Sequence, residues 1–145
     1  MLDKSALCKL IPHAGDMCLL DAVLEWDADS IICQAISHQD AGNPLRGEAG
    51  LHALTGVEYA AQAMAIHGGL LAGEGSPPRQ GYLAAVRDLD LRVQRLDTLP
   101  APLTIEAERL MGEGDSILYQ FTLHAAGACV LAGRASVFFV REETQ

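Results

Sequence analysis

Short apolar runs broken by single polar residues over 19–26 and 30–37, on either side of the turn-prone Asp27-Ala28-Asp29, predict two strands joined as a hairpin. A polar loop follows over 38–48, marked by Gly42, Asn43-Pro44 and Gly47. That patterning then stops. Residues 49–73 are rich in Ala and Leu, carry the single charged side chain Glu58, and are apolar nearly all round, so they predict one long helix buried on most sides. After a loop containing Gly75 and Pro77-Pro78, strand patterning appears over 82–95, 103–111, 116–125 and 129–141, with clean alternation over 103–111. Turns fall at 98–102, at Gly112-Glu113-Gly114-Asp115 and at 126–128. Two strands, a helix and four strands in an antiparallel meander predict an α+β fold, a curved antiparallel sheet wrapped around one central helix. No internal repeat or linker divides the chain, so residues 1–145 are expected to form one domain. Six strands around one helix leave an open sheet edge, which predicts pairing with a second subunit.

Composition narrows this picture. The 25 residues of 49–73 are long enough to cross a membrane, but Glu58, Gln62, His52, His67 and five glycines argue against a span. The first residues lack the apolar run and small-residue cleavage site of a signal peptide, so a cytoplasmic protein away from the membrane is expected. Nineteen acidic against ten basic side chains give a net charge of −9, which excludes the basic face that nucleic-acid binding needs. Cys8, Cys18, Cys33 and Cys129 form no CxxC pair and have apolar neighbours, so reduced buried thiols are expected rather than a disulfide or zinc site. Phosphate-binding glycine loops, zinc signatures and serine nucleophile elbows are absent, and neither a cofactor nor a metal is expected.

Glu58 is the leading catalytic candidate. Set among Gly56, Val57, Ala60 and Ala61, it either serves as a general acid or base in an apolar pocket or emerges at a helix edge to meet water or an arginine. Gln62, four residues on, shares its face and is placed to orient the carboxylate or a bound ligand. His13 stands in the loop Ile11-Pro12-His13-Ala14-Gly15-Asp16. His52 and His67 are turned about 120° and 180° away from Glu58 on an ideal helix. His38 and His124 read as ordinary strand-end or surface histidines, and no histidine pair has metal-ligand spacing.

Ile11-Pro12-His13, followed by Cys18-Leu19-Leu20-Asp21-Ala22-Val23, resembles the opening of bacterial 3-hydroxyacyl-acyl carrier protein dehydratases. Gly56-Val57-Glu58-Tyr59-Ala60-Ala61-Gln62-Ala63-Met64-Ala65 is similar to that family's central helix, with its catalytic Glu and a Gln four residues later. More narrowly, Asn43-Pro44-Leu45-Arg46 together with residues 58–68 resembles the dehydratase-like proteins of aryl polyene gene clusters. The resemblance implies a hotdog fold with dimerising subunits. It departs at one point: the fatty-acid enzymes carry a catalytic His fourteen residues before the Glu, and here that position is Pro44. His13 is the better substitute and His52 the next.

The implied reaction removes water from a 3-hydroxyacyl thioester to give a 2-enoyl thioester. Glu58 would protonate the leaving hydroxyl and His13 would take the C2 proton. Asn43, Arg46 and Gly47 become substrate-binding candidates beside Gln62, with peptide N–H groups near 47–51 at the helix start expected to receive charge from the thioester carbonyl. The implied partners are an acyl carrier protein, or its phosphopantetheine-linked acyl thioester, and a second hotdog subunit in a homodimer or heteromer. Two other readings stay open: a hotdog acyl thioesterase, and a non-catalytic or half-site subunit of a heteromeric dehydratase, which the missing loop His favours. Arg79, Arg87, Arg92 and Arg95 cluster in 76–95 against two acids, a local basic stretch suited to an acidic carrier.

Overall fold

A computed structural model describes residues 1–11, 17–73, 81–113 and 115–139. In chain order these form β1 (Leu2–Asp3), α1 (Lys4–Cys8), β2 (Ala22–Trp26), β3 (Ser30–Ala35), α2 (Gly56–Ala72), β4 (Gly81–Leu91), β5 (Leu103–Glu113), β6 (Ser116–Ala125) and β7 (Ala128–Phe139). The seven strands make one antiparallel sheet in the order β1-β2-β3-β5-β6-β7-β4. Period-two alternation turns Ile31 and Cys33 of β3, Phe121 and Leu123 of β6, and Leu131 and Ala135 of β7 into the core. Against that face lies α2, burying Tyr59, Ala60, Ala63, Met64 and Ile66. Close approach depends on small residues: a Cβ on Gly56 would collide with the Leu131 side chain, and one on Gly68 would lie 2.9 Å from Phe139 Cζ. This is the expected curved sheet around a single helix.

Four expectations need correction. The last four strands are not a simple meander, because β4 lies beyond β7 at the sheet edge, in register from Gly81↔Phe139 to Leu91↔Leu131, while β5 pairs with β3. The cause is the segment after β4. It leaves the sheet to run beside the approach to α2, with Ala53 N–H donating to Gln94 C=O and Leu96 N–H to Leu51 C=O, and it buries Leu96.

The helix starts at Gly56 rather than at residue 49. Gly47 and Gly50 exchange both backbone hydrogen bonds across a tight turn, with Gly50 at φ 97°, and a single 3₁₀ turn at Ala53–Thr55 leads into α2. A Cβ on Gly50 would fall 2.5 Å from Arg95 Nη2 and 2.6 Å from Asp97 Oδ2, so glycine is required for both its conformation and its space.

Cys8 and Cys18 are joined in a disulfide, whereas Cys33 and Cys129 are free thiols. Burial pushes the Cys33 thiol up to about 12, so it stays protonated and inert. Finally, His38 is fully buried rather than at the surface. The short 3₁₀ turn Ser37–Gln39 tucks its ring under the 99–101 turn, where Nε2 reaches Leu99 O at 3.2 Å and Ala101 O at 3.0 Å. No helix among the described residues is long and apolar enough to cross a membrane.

Candidate functional site

With α2 beginning at Gly56, Glu58 sits in its first turn, not in mid-helix, and its side chain is half-buried. One turn on, buried Gln62 uses its whole amide. Nε2 donates to Glu58 Oε1 at 3.2 Å and to Met17 O at 2.6 Å, while Oε1 accepts from Leu19 N–H at 2.9 Å. The i,i+4 spacing thus orients the carboxylate and ties it to the 17–19 segment.

Leu19 is held from the other side as well. Ser37 Oγ donates its only hydrogen to Leu19 O at 2.7 Å, so in the 2.8 Å contact between Tyr59 and Ser37 the phenol is the donor. Tyr59 OH in turn accepts from Asn43 Nδ2 at 3.1 Å. Burial raises the Tyr59 pKa, keeping the phenol protonated and able to donate. Asn43 completes the set, giving its amide also to Ser37 O at 2.9 Å and accepting Leu45 N–H at 2.9 Å. A continuous network therefore runs from Asn43 through Tyr59, Ser37, Leu19 and Gln62 to Glu58.

Arg46 and Gly47 belong to a different set of partners. Arg46 Nη2 lies 3.6 Å from Asp97 Oδ2, and Asp97 also takes Arg95 Nη2 at 2.5 Å and Leu51 N–H at 3.0 Å. The Arg95 guanidinium holds the Asp97 carboxyl well below the usual carboxylate range, assisted by Leu51 N–H. Gly47 N–H is taken by Gly50 O and Gly50 N–H by Gly47 O. The backbone donors expected near 47–51 to receive charge from a substrate carbonyl are thus largely occupied within the fold.

Of the histidines, His13 lies outside the described residues. Exposed His52 caps the 3₁₀ turn before α2, its Nδ1 accepting Leu54 N–H at 3.0 Å. His67 is buried. Its Nε2 donates to Asp27 O at 2.7 Å, so Nδ1 accepts from Tyr119 OH, also at 2.7 Å. Burial lowers the His67 pKa and raises that of Tyr119 to about 12, keeping both neutral. Among the described residues no group of three or more His, Cys, Asp or Glu side chains is placed to hold a metal.

Ser37 and Tyr59 were not singled out from the sequence. A tyrosine on the buried face of an apolar helix was the available signal, because its hydroxyl must find a partner there. A cleft of about 140 Å³ borders the network, lined in part by Cys18, Leu19, Ser37, Asn43 and Pro44. That is smaller than the roughly 300–1,000 Å³ of most small-molecule sites.

A curved antiparallel sheet around one helix, with a Gln-oriented carboxylate in that helix's first turn, defines a hotdog protein with a helix-borne acid. A family model described as ApeP-like, ApeP dehydratase, matches residues 5–145, and the chain belongs to that family. Among solved structures, the dehydratase heterocomplex ApeI:P from Xenorhabdus doucetiae is similar at 21% identity and a TM-score of 0.84, over 94% of this chain and 91% of that one. A Haemophilus influenzae thioesterase matches at 12% identity and a TM-score of 0.67, over 97% of this chain and 92% of that one. AziG from S. sahachiroi matches at 14% identity and a TM-score of 0.63, over 91% and 98%. No curated protein matches the chain significantly.

Proposed function

We propose that the protein is a cytoplasmic 3-hydroxyacyl-[acyl carrier protein] dehydratase of aryl polyene assembly, working as a subunit of a heteromeric hotdog enzyme. The observation that carries this reading is the orientation of Glu58 by Gln62 on the first turn of α2, within a chain of the ApeP dehydratase family. Glu58 Oε1 accepts from Gln62, which leaves the other oxygen to face substrate. In the reaction His13 takes the C2 proton, the C2–C3 double bond forms, the C3–O bond breaks, and Glu58 gives its proton to the departing hydroxyl, which leaves as water.

His13 is favoured over His52 because Gln62 ties Glu58 to Met17, four residues along the chain from His13, whereas His52 Nδ1 is committed to capping. The small cleft beside the network, the unpaired edge of β4 and the heteromeric state of the ApeI:P relative together support completion of the site by a second hotdog subunit. They equally favour the second reading, a half-site subunit that is silent alone.

The test is water loss from 3-hydroxyacyl thioesters of a holo-carrier protein, followed by mass spectrometry, with the chain alone and with its hotdog partner. Glu58→Gln is expected to lower the rate at least about 100-fold without changing the melting temperature, and His13→Asn to lower it far more than His52→Asn. Persistent water loss in Glu58→Gln would sink the assignment. Release of free thiol would identify a thioesterase instead.

A further inference from the structure

The face of the sheet turned away from α2 carries a second recess, unconnected to the Glu58 network by any residue it shares. Cross-strand registers set out its composition. Glu108, Gln120, Arg134 and Arg87 are direct neighbours across β5, β6, β7 and β4. The adjacent outward row is Met111, Leu118, Ser136 and Ala85, and the one after it brings Ser116, Phe138 and Tyr82 together. The middle row forms the floor of a groove of about 480 Å³, with the two arginines on one side. Ser116 lines the other, and Phe138 and Tyr82, each about half exposed, belong to the same strand row as Ser116.

Arg87 and Arg134 face each other as a directly opposed like-charge pair, an arrangement that costs stability in a sheet. No acidic side chain among the described residues pairs with either one. Asp88 borders the groove from a bulge, at φ 54°, without an ion pair to them. The other arginines described in the 76–95 stretch are neutralised, Arg92 by Asp90 and Arg95 by Asp97, and Arg79 lies outside the described residues. Acidic Glu106 and Glu108 line a separate depression on β5 and β6. This face is thus polarised, basic and apolar towards β4 and β7 and acidic towards β5, on a chain whose net charge is −9.

We infer that the Arg87/Arg134 groove is the docking site for the acidic carrier protein that presents the thioester. The inference rests on the dehydratase reading for the identity of the partner and on charge complementarity for the place. Two unneutralised guanidiniums receive carboxylates, Ser116 and Ser136 supply hydroxyls, and the Met111–Leu118 floor with Tyr82 and Phe138 receives the apolar side of an amphipathic acidic helix. A second copy of this chain fits poorly, since symmetric stacking of the groove on itself would bring four arginines together.

The experiment measures equilibrium binding of a purified acidic holo-acyl carrier protein to the chain, or to its complex with the hotdog partner. Arg87→Glu and Arg134→Glu are each expected to weaken binding at least tenfold. Arg92→Glu, the same charge change on an arginine already paired, should weaken it less than threefold. Wild-type affinity should fall steeply as salt rises from about 0.05 to 0.3 M, and the variants should lose much of that slope. Folding is checked by melting; each reversal removes the opposed pair, so the variants should melt no lower than wild type.

Unchanged affinity in both variants, or equal loss in all three, overturns the inference. So does a wild type that binds inorganic phosphate in the groove and no carrier, which would make it a small-anion site. Carrier binding through these arginines without water loss leaves the docking site standing and removes the dehydratase reading. Water loss with carrier affinity unaffected by the variants does the reverse.

Discussion

Replacing Gln62 by methionine keeps the side-chain length while removing an acceptor and two donated hydrogen bonds. Leu19 is only 1% exposed, so its N–H has no water to turn to once Gln62 Oε1 is gone. A buried donor left unpaired costs about 1–3 kcal/mol. Met17 is half-buried, and losing the donor to its carbonyl adds about 0.5–1.5 kcal/mol, partly offset by burying an apolar side chain. The sum is about 2–4 kcal/mol, a large share of the 5–15 kcal/mol typical of a domain. With a urea dependence near 2 kcal/mol/M, the unfolding midpoint should fall by about 1–2 M at unchanged slope. Glu58→Ala removes only the 3.2 Å bond to Gln62 and should cost less than about 1 kcal/mol. The two variants therefore separate the roles: Gln62 supports the fold and orients the carboxylate, whereas Glu58, the proposed acid, adds little to stability. A Gln62→Met midpoint within about 0.25 M of wild type would refute the claim that Gln62 clamps the 17–19 segment.

Two further outcomes follow from the same structure. The Cys8–Cys18 disulfide closes a short loop, with a sequence separation of 10, and its reduction should cost about 3 kcal/mol on chain-entropy grounds. Alkylation under denaturing conditions without reductant should label only Cys33 and Cys129; labelling of all four would refute the bridge. His38 and His67 are buried, and burial lowers both pKa values below the ordinary 6.5. As pH falls below about 6.5 the unfolded chain takes up protons that the folded chain refuses, so stability is fullest above that value. It should then decline by up to about 1.4 kcal/mol per pH unit for each histidine until the lowered folded values are passed. Urea midpoints at about pH 7.5 and 5.5 measure this, and a flat profile would refute the neutral buried state of both rings.

Local patterning made most of the sheet legible. The strand expected at 116–125 is β6 to the residue, because polar Gln120, Thr122 and His124 alternate there with apolar Phe121, Leu123 and Ala125 and a turn bounds each end. The start of α2 was misplaced because Ala, Leu and Gly over 49–55 have the composition of the helix that follows. What diverts them is Asp97 and the backbone of residues 94–96, more than forty positions away. The same long-range contact sends β4 to the far edge of the sheet. In the site, the Glu58–Gln62 pair was legible from its i,i+4 spacing. The grip of Gln62 on Met17 and Leu19 was not, since hydrogen bonds to backbone leave no mark on the residues that make them. His38 shows the same limit: two carbonyls of the 99–101 turn bury it, and neither depends on a particular side chain.

The loop at 43–46 bears most directly on where the second catalytic group arises. In the fatty-acid dehydratases that this chain resembles, a histidine occupies the position of Pro44, and beside it here the Asn43 side chain is fully spent on Ser37, Tyr59 and Leu45. Arg46 faces Asp97, and the Gly47 N–H is paired within its own turn. The loop has thus become a brace for the Tyr59–Ser37–Leu19 network, with no titratable side chain directed at Glu58. On the dehydratase reading proposed above, a base for the C2 proton would come from His13, in the segment that continues into Met17, or from a second hotdog subunit. Those two sources separate cleanly in the assay of the isolated chain. His13 as base lets Glu58 work without a partner, whereas a base from the second subunit makes water loss appear only on mixing.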